Sequence, residues 1–398
     1  MTKAPPSSAP VIIAGAGPVG LSLAACLAEA DLPVLVLEAE RQLPTNLRAS
    51  TFHPPTLDML ERFGATAKLI AQGLIAPTFQ YRDRSGAILG EFDFGQLGDL
   101  VRHPYRLQCE QFKLNFALAD YLAGRPSANI RFGAEVTSVS QSADGVTVEL
   151  AGGETIAGSY VVGADGARSA VRQALSIPFE GFTWPEAFLV VSTDFPFEDH
   201  LSGLCWVNYF ADPEEWFFLL RAPEVWRVMF PTGPQEREAD IFDADKIQRR
   251  LNRVLPRREA YSVKHTTLYR VHQRVAERYR EGRAFIAGDA AHINNPLGGM
   301  GMNGGIHDAF NLGRKLVLVM RGEAPPSLLD RYELERRPVA LQYVNEITIR
   351  NKRNLETRDP EEQAAFRGML RETMANPEKN RAFLLRASML ASLAPVTS

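Results

Sequence analysis

Residues 11 to 38 leave the chain little choice of local architecture. Val11-Ile12-Ile13-Ala14 is a short, wholly apolar run, the pattern of a strand buried on both faces. Gly15, Gly17 and Gly20 follow at once in Gly15-Ala16-Gly17-Pro18-Val19-Gly20, and a helix rich in Ala and Leu comes next. Val34-Leu35-Val36-Leu37 is a second buried strand, with Glu38 at its end. The unit predicts strand, helix and strand joined by a right-handed crossover in a parallel sheet. The first glycine permits a tight turn, the second lets a pyrophosphate approach the backbone, and the third lets helix pack on strand. The helix N-terminus offers free N–H groups and partial positive charge to phosphates. Glu38, eighteen residues past Gly20, is placed to accept hydrogen bonds from an adenosine ribose. An acid there fits FAD or NAD and disfavours NADP at this position. Pro18, Val19 and Ala39 flank these groups and join them as candidate cofactor contacts.

Two further constellations repeat the theme of a buried strand ending in a turn. Ala284-Phe285-Ile286-Ala287 ends in Gly288-Asp289, which can aim a carboxylate at a ribityl hydroxyl. Asn294-Asn295-Pro296-Leu297 leads into a stretch with five glycines in the eight positions 298 to 305, ahead of a helix expected from Gly304 to Met320. Backbone donors from Gly299 to Asn303 can stabilise negative charge on a planar ring, and glycine leaves room for it. Tyr160-Val161-Val162-Gly163-Ala164 ends in Asp165-Gly166, with Ser169 placed to start a helix that carries Arg172. Taken alone, this third element reads as an N-cap with a basic first turn.

The 398 residues favour two intimately packed domains. The chain divides into a first nucleotide-binding part at 10–177 and a β-rich substrate domain at 178–275, with parts of 75–110 as an open extension of it. A second nucleotide-binding part spans 276–345 and a C-terminal helical segment 346–398. The expected class is α/β, a Rossmann-like FAD-binding domain with an inserted, mainly antiparallel sheet. The short runs Phe188 to Thr193, Leu204 to Phe210, Trp216 to Leu220 and Arg227 to Phe230 supply that sheet, and all four tryptophans lie between residues 178 and 275. The formal net charge of -3 gives no reason to expect nucleic acid or an anionic membrane as partner. Cys26, Cys109 and Cys205 are too scattered for a disulfide framework or a zinc site and point to a reducing compartment. With no signal peptide and no membrane-length apolar run, a soluble cytoplasmic protein without a metal is expected.

With all three motifs in this order, residues 10 to 345 resemble the class A FAD-dependent aromatic hydroxylases, the family of para-hydroxybenzoate hydroxylase. That resemblance implies a GR2-type flavoprotein fold, FAD as cofactor, and NADH or NADPH with dioxygen as co-substrates. It implies that a flavin C4a-hydroperoxide hydroxylates a small aromatic or heteroaromatic substrate, in a monomer or homodimer. Glu38 would bind the adenosine ribose and Asp289 the ribityl chain, with Gly301, Met302 and Asn303 beside the isoalloxazine. Asp165, Gly166 and Arg168 would serve both FAD and the nicotinamide. Arg48 would lie near FAD and handle the nicotinamide, and Arg48, Pro296 and Gly299 are the candidate catalytic contacts. Gln111, with Gln108 as an alternative, matches a position that contacts the pyrophosphate or ribityl region. The Asn294 to Leu297 loop departs from the family's proline-rich pattern, which leaves the pocket shape open. The chain also ends without the extra domain of longer phenol hydroxylases. A reductase or halogenase on the same scaffold is the alternative, although the WxWxIP segment of flavin halogenases is absent. A flavin-binding protein without turnover would be expected to carry a damaged Gly288-Asp289 loop, and a plain NAD dehydrogenase would leave that loop unexplained.

Other side chains carry weaker expectations. His292 reads as a structural hydrogen bond to its loop, and His53 as either an active-site neighbour or a capping or surface group. His265 and His272 fall in the predicted sheet. The tryptophans and Tyr209 are candidates to stack on an aromatic substrate but read more simply as core. The C-terminal charges read as a solvated helical face.

Overall fold

Val11–Ala14 is fully buried because parallel strands flank it on both sides, Tyr160–Gly163 and Val34–Glu38. These lie inside a six-stranded sheet ordered Arg280–Glu281, Ala284–Ile286, Tyr160–Gly163, Val11–Ala14, Val34–Glu38 and Ala128–Phe132. The computed structural model describes residues 9–45 and 49–393. All three motif turns therefore leave the C-terminal ends of neighbouring parallel strands, where open α/β sheets gather their ligands.

The long helix Met300–Met320 begins four residues before the Gly304 expected from sequence. Gly299, at φ +67°, turns the chain into it, and glycines 301, 304 and 305 are helical. Glycine in a helix costs about 1 kcal/mol relative to alanine. Packing explains the exception. A Cβ at Gly305 would stand 2.6 Å from Val19 Cγ2, and one at Gly313 would stand 2.9 Å from Cys26 Cβ. Both contacts lie on the helix Pro18–Glu29, so the two helices approach at backbone distance.

The second sheet has eight strands, ordered His292–Ile293, Val263–Ala276, Phe179–Thr193, Trp226–Pro231, Phe217–Arg221, Val207–Ala211, Thr78–Asp83 and Ile88–Asp93. Its pairs are antiparallel except that between Val207–Ala211 and Thr78–Asp83. The sequence suggests a short strand at Phe188 to Thr193; the structure extends it to fifteen residues, Phe179–Thr193. It pairs with Val263–Ala276 along nearly all of that length, with a bulge between Thr183 and Ala187. Its first half is largely exposed and interrupted by Gly181 and Pro185, so no regular apolar pattern announces it.

The C-terminal charges are only partly solvated. Pro360–Ala375 and Pro377–Ala387 start from Asp359 and Asn376, whose side chains accept backbone N–H groups of the first turn. Their Phe366, Leu370 and Leu384 are buried in one cluster with Phe79 and Phe92 of the second sheet. Arg336 is buried as well. Its Nε donates to Asp308 Oδ1 at 2.7 Å, while Asp308 Oδ2 meets His292 Nε2 at 2.8 Å and the Gly288 N–H at 3.2 Å. Arg336 also donates to the Ser392 carbonyl at 3.1 Å. One carboxylate thus ties the Gly288-Asp289 turn, the long helix and the C-terminal segment together. Burial opposes its ionisation, but Arg336 and His292 outweigh that and hold Asp308 at about 2. Asp308→Ala leaves Arg336 buried without its carboxylate and is expected to cost about 3–5 kcal/mol, read as a lower urea midpoint with an unchanged slope.

Candidate active site

A single cavity of about 930 Å³ runs between the two sheets. Gly15, Gly17, Pro18, Val19, Glu38 and Ala39 line it on the side of the first sheet, with Asp165, Gly166 and Arg168 from the neighbouring turn. Gln111, Asp289, Pro296, Gly299, Gly301 and Met302 line it as well. The second sheet adds a largely apolar chamber from Val190, Val207, Tyr209, Phe218, Leu220 and Met229. The motifs, far apart in sequence, therefore open on one space.

The glycine turn is shaped by steric necessity. Gly15 sits at φ +101°, and a Cβ there would stand 2.5 Å from the Ala164 carbonyl oxygen. Glu38 Oε2 accepts the Ala16 N–H at 2.7 Å and Oε1 accepts the Glu40 N–H at 3.0 Å. Its carboxylate thus fastens the turn from the next strand while lining the cavity. Pro18–Glu29 and Met300–Met320 share a second property: neither has a side-chain N-cap bond or an acidic residue in its first turn. Their leading N–H groups keep their partial positive charge for whatever occupies the cavity. Asp165 adds an acceptor. Its Oδ2 takes the Val171 N–H at 3.2 Å, its Oδ1 is buried without a partner, and burial raises its pKa above the ordinary range. Two anion-seeking helix ends, a ribose-height carboxylate and an unpartnered acceptor suit a dinucleotide in an extended conformation.

The long helix is also held in place. Asn303 accepts the His53 N–H at 2.9 Å and donates to the carbonyls of Thr51 and Gly299 at 2.9 and 2.7 Å. Asn303 does not line the cavity, nor do Gly20 and Gly288. The two glycines serve packing instead: a Cβ at Gly20 would stand 2.0 Å from the Gly15 oxygen, and one at Gly288 2.7 Å from Val19. His53 stands at the N-cap position of the helix Pro54–Glu61, where its side chain makes no cap bond, and it is not a surface group. It is fully buried, and its Nε2 meets the Gly298 carbonyl at 2.8 Å. Burial first, and nearby Arg106 second, press its pKa well below the ordinary value, so it is neutral and donates from Nε2. Arg172 bridges two of the motif turns, donating to the carbonyls of Ala290 and Ala167 at 2.9 and 2.8 Å.

Gln111 lines the cavity and Gln108 does not; Gln108 accepts the Thr51 hydroxyl at 2.8 Å. Tyr209 faces the chamber, stacked on Phe218 at 4.7 Å, whereas none of the four tryptophans lines it. His272 lines the cavity and shares a 2.9 Å hydrogen bond with Thr183. His265 bonds its neighbour Thr267, and His292 belongs to the Asp308 network. Arg48 lies outside the described residues. Sequence reasoning misses Arg106 and Arg227, both buried and both lining the cavity. Arg227 donates to the Ser50 hydroxyl at 3.0 Å. Neither arginine sits in a motif or a periodic pattern.

The family model described as "FAD binding domain" matches residues 8–347. The chain belongs to the class A FAD-dependent aromatic hydroxylases. Para-nitrophenol 4-monooxygenase of Pseudomonas sp. (strain WBC-3) is 32% identical to this hydroxylase over 386 residues, 94% of each protein. The 6-hydroxy-3-succinoylpyridine 3-monooxygenase HspB of Pseudomonas putida is 35% identical over 356 residues, 88% of this chain and 90% of that one. The crystal structure of p-nitrophenol 4-monooxygenase PnpA from Pseudomonas putida matches with a TM-score of 0.90 at 31% identity. That match covers 98% of this hydroxylase and 99% of PnpA. Among the described residues no helix is long and apolar enough to cross a membrane.

Two expectations follow from this geometry. Gly15→Ala forces a side chain into the Ala164 carbonyl and is expected to yield protein without flavin, checked by the flavin-to-protein absorbance ratio. His53 and His307 are both neutral in the fold, His307 lowered to about 3 by burial and then by Arg336. Unfolded histidine titrates near 6.5, so their stabilisation is complete above about pH 6.5 and is lost as pH falls. Between about pH 6.5 and 5, each should steepen the loss by up to about 1.4 kcal/mol per unit. Urea unfolding at stepped pH should show a shallower slope for His307→Gln than for the parent.

Proposed function

We propose that this hydroxylase uses NADH or NADPH and dioxygen to hydroxylate a small aromatic or heteroaromatic substrate, with FAD held between the two sheets. The observation that carries the reading is the continuity of one cavity from the glycine cradle to an apolar chamber floored by Tyr209 and Phe218. Bound FAD would supply hydride acceptance and oxygen activation, chemistry that no side chain here offers.

The chain's own residues bind, orient and shield. Gly15, Gly17, Pro18 and Val19 with the first helix would take the pyrophosphate, and Glu38 and Ala39 the adenosine end. Gln111, Asp165, Gly166 and Asp289 would hold the middle of the dinucleotide. The N–H groups of Gly301 and Met302 would face the ring, beside Pro296 and Gly299. Gly20, Gly288 and Asn303 would act one step back, through the packing and hydrogen bonds that set those turns. Arg168 at the cavity edge, and Arg48, would meet the nicotinamide. The apolar walls keep water from the reacting edge and fix the substrate ring against it, which supports oxygen transfer over unproductive release. The names of both relatives, acting on a nitrophenol and on a hydroxypyridine, support a hydroxylated ring as substrate.

The purified protein is expected to show flavin absorbance and to oxidise NADH or NADPH faster when one hydroxylated aromatic is added, with oxygen consumed and a hydroxylated product formed. Reduction that no aromatic accelerates, with no oxygenated product, would move the reading to a simple flavin reductase. A colourless protein that takes up no FAD would end both.

A further inference from the structure

Arg106 occupies a place that a cation does not choose for stability. It opens the short strand Arg106–Gln108, which pairs with Thr51–Phe52 and Leu74–Ala76, and it is 2% exposed. Its guanidinium lies over the rings of Phe79 and Phe94, 4.7 and 5.1 Å from their centroids. Nη2 donates to the Ala387 carbonyl at 3.2 Å, while Nε is buried without a partner. No carboxylate forms an ion pair with it among the described residues. A buried guanidinium without a counter-charge is costly, and aromatic faces offset only part of that cost.

The cavity is electrically lopsided in the same sense. Its acidic lining groups, Glu38, Glu40, Glu135, Asp165 and Asp289, all follow strands of the first sheet. The second sheet lines it with no acid; beside apolar side chains it brings Tyr209, Tyr269, His272 and the cations Arg227 and Arg270. Arg106 stands beside Tyr81, which stacks on Tyr209 at 5.3 Å, and Tyr209 floors the chamber. The titratable neighbours add no negative charge: burial raises Tyr81 and lowers His53, and Arg350 beside Tyr81 is another cation.

We propose that Arg106 is a specificity-determining residue that selects aromatic substrates carrying a negative charge, a phenolate or a ring carboxylate, at the second-sheet end of the chamber. The proposal rests on the hydroxylase reading above and narrows its substrate class. The bond replaces the missing counter-charge, and the apolar walls strengthen it by excluding water.

The test is calorimetric titration of the flavin-loaded protein, at mildly alkaline pH, with ligand pairs matched in shape but not in charge. Para-nitrophenol is set against para-nitroaniline, and para-hydroxybenzoate against para-hydroxybenzamide. At least one anion should bind tenfold or more tightly than its neutral partner. Arg106→Gln should bring that ratio close to one, and Arg106→Lys should keep part of it. Flavin content and the thermal midpoint report whether the variants stay folded. The unmutated protein gives an independent arm: the dissociation constant of para-nitrophenol should rise as pH falls through that phenol's own pKa. Equal binding of both partners, a preference that survives Arg106→Gln, or a dissociation constant flat through the pKa would each overturn the proposal. Oxidation of NADH or NADPH stimulated equally by charged and neutral rings would leave the hydroxylase reading standing and remove Arg106 from it. Anion preference without stimulated oxidation would do the reverse.

Discussion

The backbone-to-backbone approach of two helices organises this molecule. Pro18–Glu29 and Met300–Met320 touch where Gly305 and Gly313 meet Val19 and Cys26, at distances no Cβ would permit. Because they lie that close, both helices begin at the same cavity with uncapped first turns. Two partial positive charges converge there, a stronger anion site than either helix makes alone. Gly288 belongs to the same contact, its Cα 2.9 Å from where a Gly305 Cβ would be. The Gly288-Asp289 turn is thereby seated against the glycine turn of the first strand, and the dinucleotide cradle is a consequence of helix packing.

Around that contact buried polar side chains tie the motif turns together. Asp308 joins Arg336 to His292 and the Gly288 N–H, Asn303 joins the helix start to Thr51 and His53, and Arg172 joins Ala167 to Ala290. Each bridges segments remote in sequence, and each leaves the cavity-lining backbone with one geometry. Preorganisation of this kind lets fixed N–H groups stabilise charge without moving. The second sheet adds a largely apolar wall to that polar frame.

What could be read from sequence had a local cause. Val11–Ala14 is apolar because both of its faces are buried, and Gly15 is glycine because the Ala164 carbonyl occupies the place of a Cβ. Such constraints act within a few residues and leave a mark at a fixed spacing. Phe179–Thr193 left no such mark, because an exposed antiparallel stretch is held by backbone pairing that many side chains tolerate. The start of the long helix was misplaced because glycine propensity was overruled by packing against a helix almost three hundred residues earlier. Arg106 depends on Ala387 and Arg336 on Asp308, and nothing local marks either pair. The turns at the strand ends were thus legible, while Arg106 and Arg336 take their places only when remote segments are brought together.

The interleaving of the two sheets has a consequence for how the molecule is made. The second sheet takes strands from Thr78–Asp83 through His292–Ile293, and the helix that completes the cradle starts 285 residues after Gly15. Pairings so distant along the chain form slowly, because loop closure must precede the contacts that reward it. During synthesis the glycine turn emerges first and waits, its Val19 face open to water, until most of the chain exists. A dinucleotide held by both the glycine turn and the long helix would favour the assembled state by mass action. It would act as a clasp between the first-made and last-made parts of the chain.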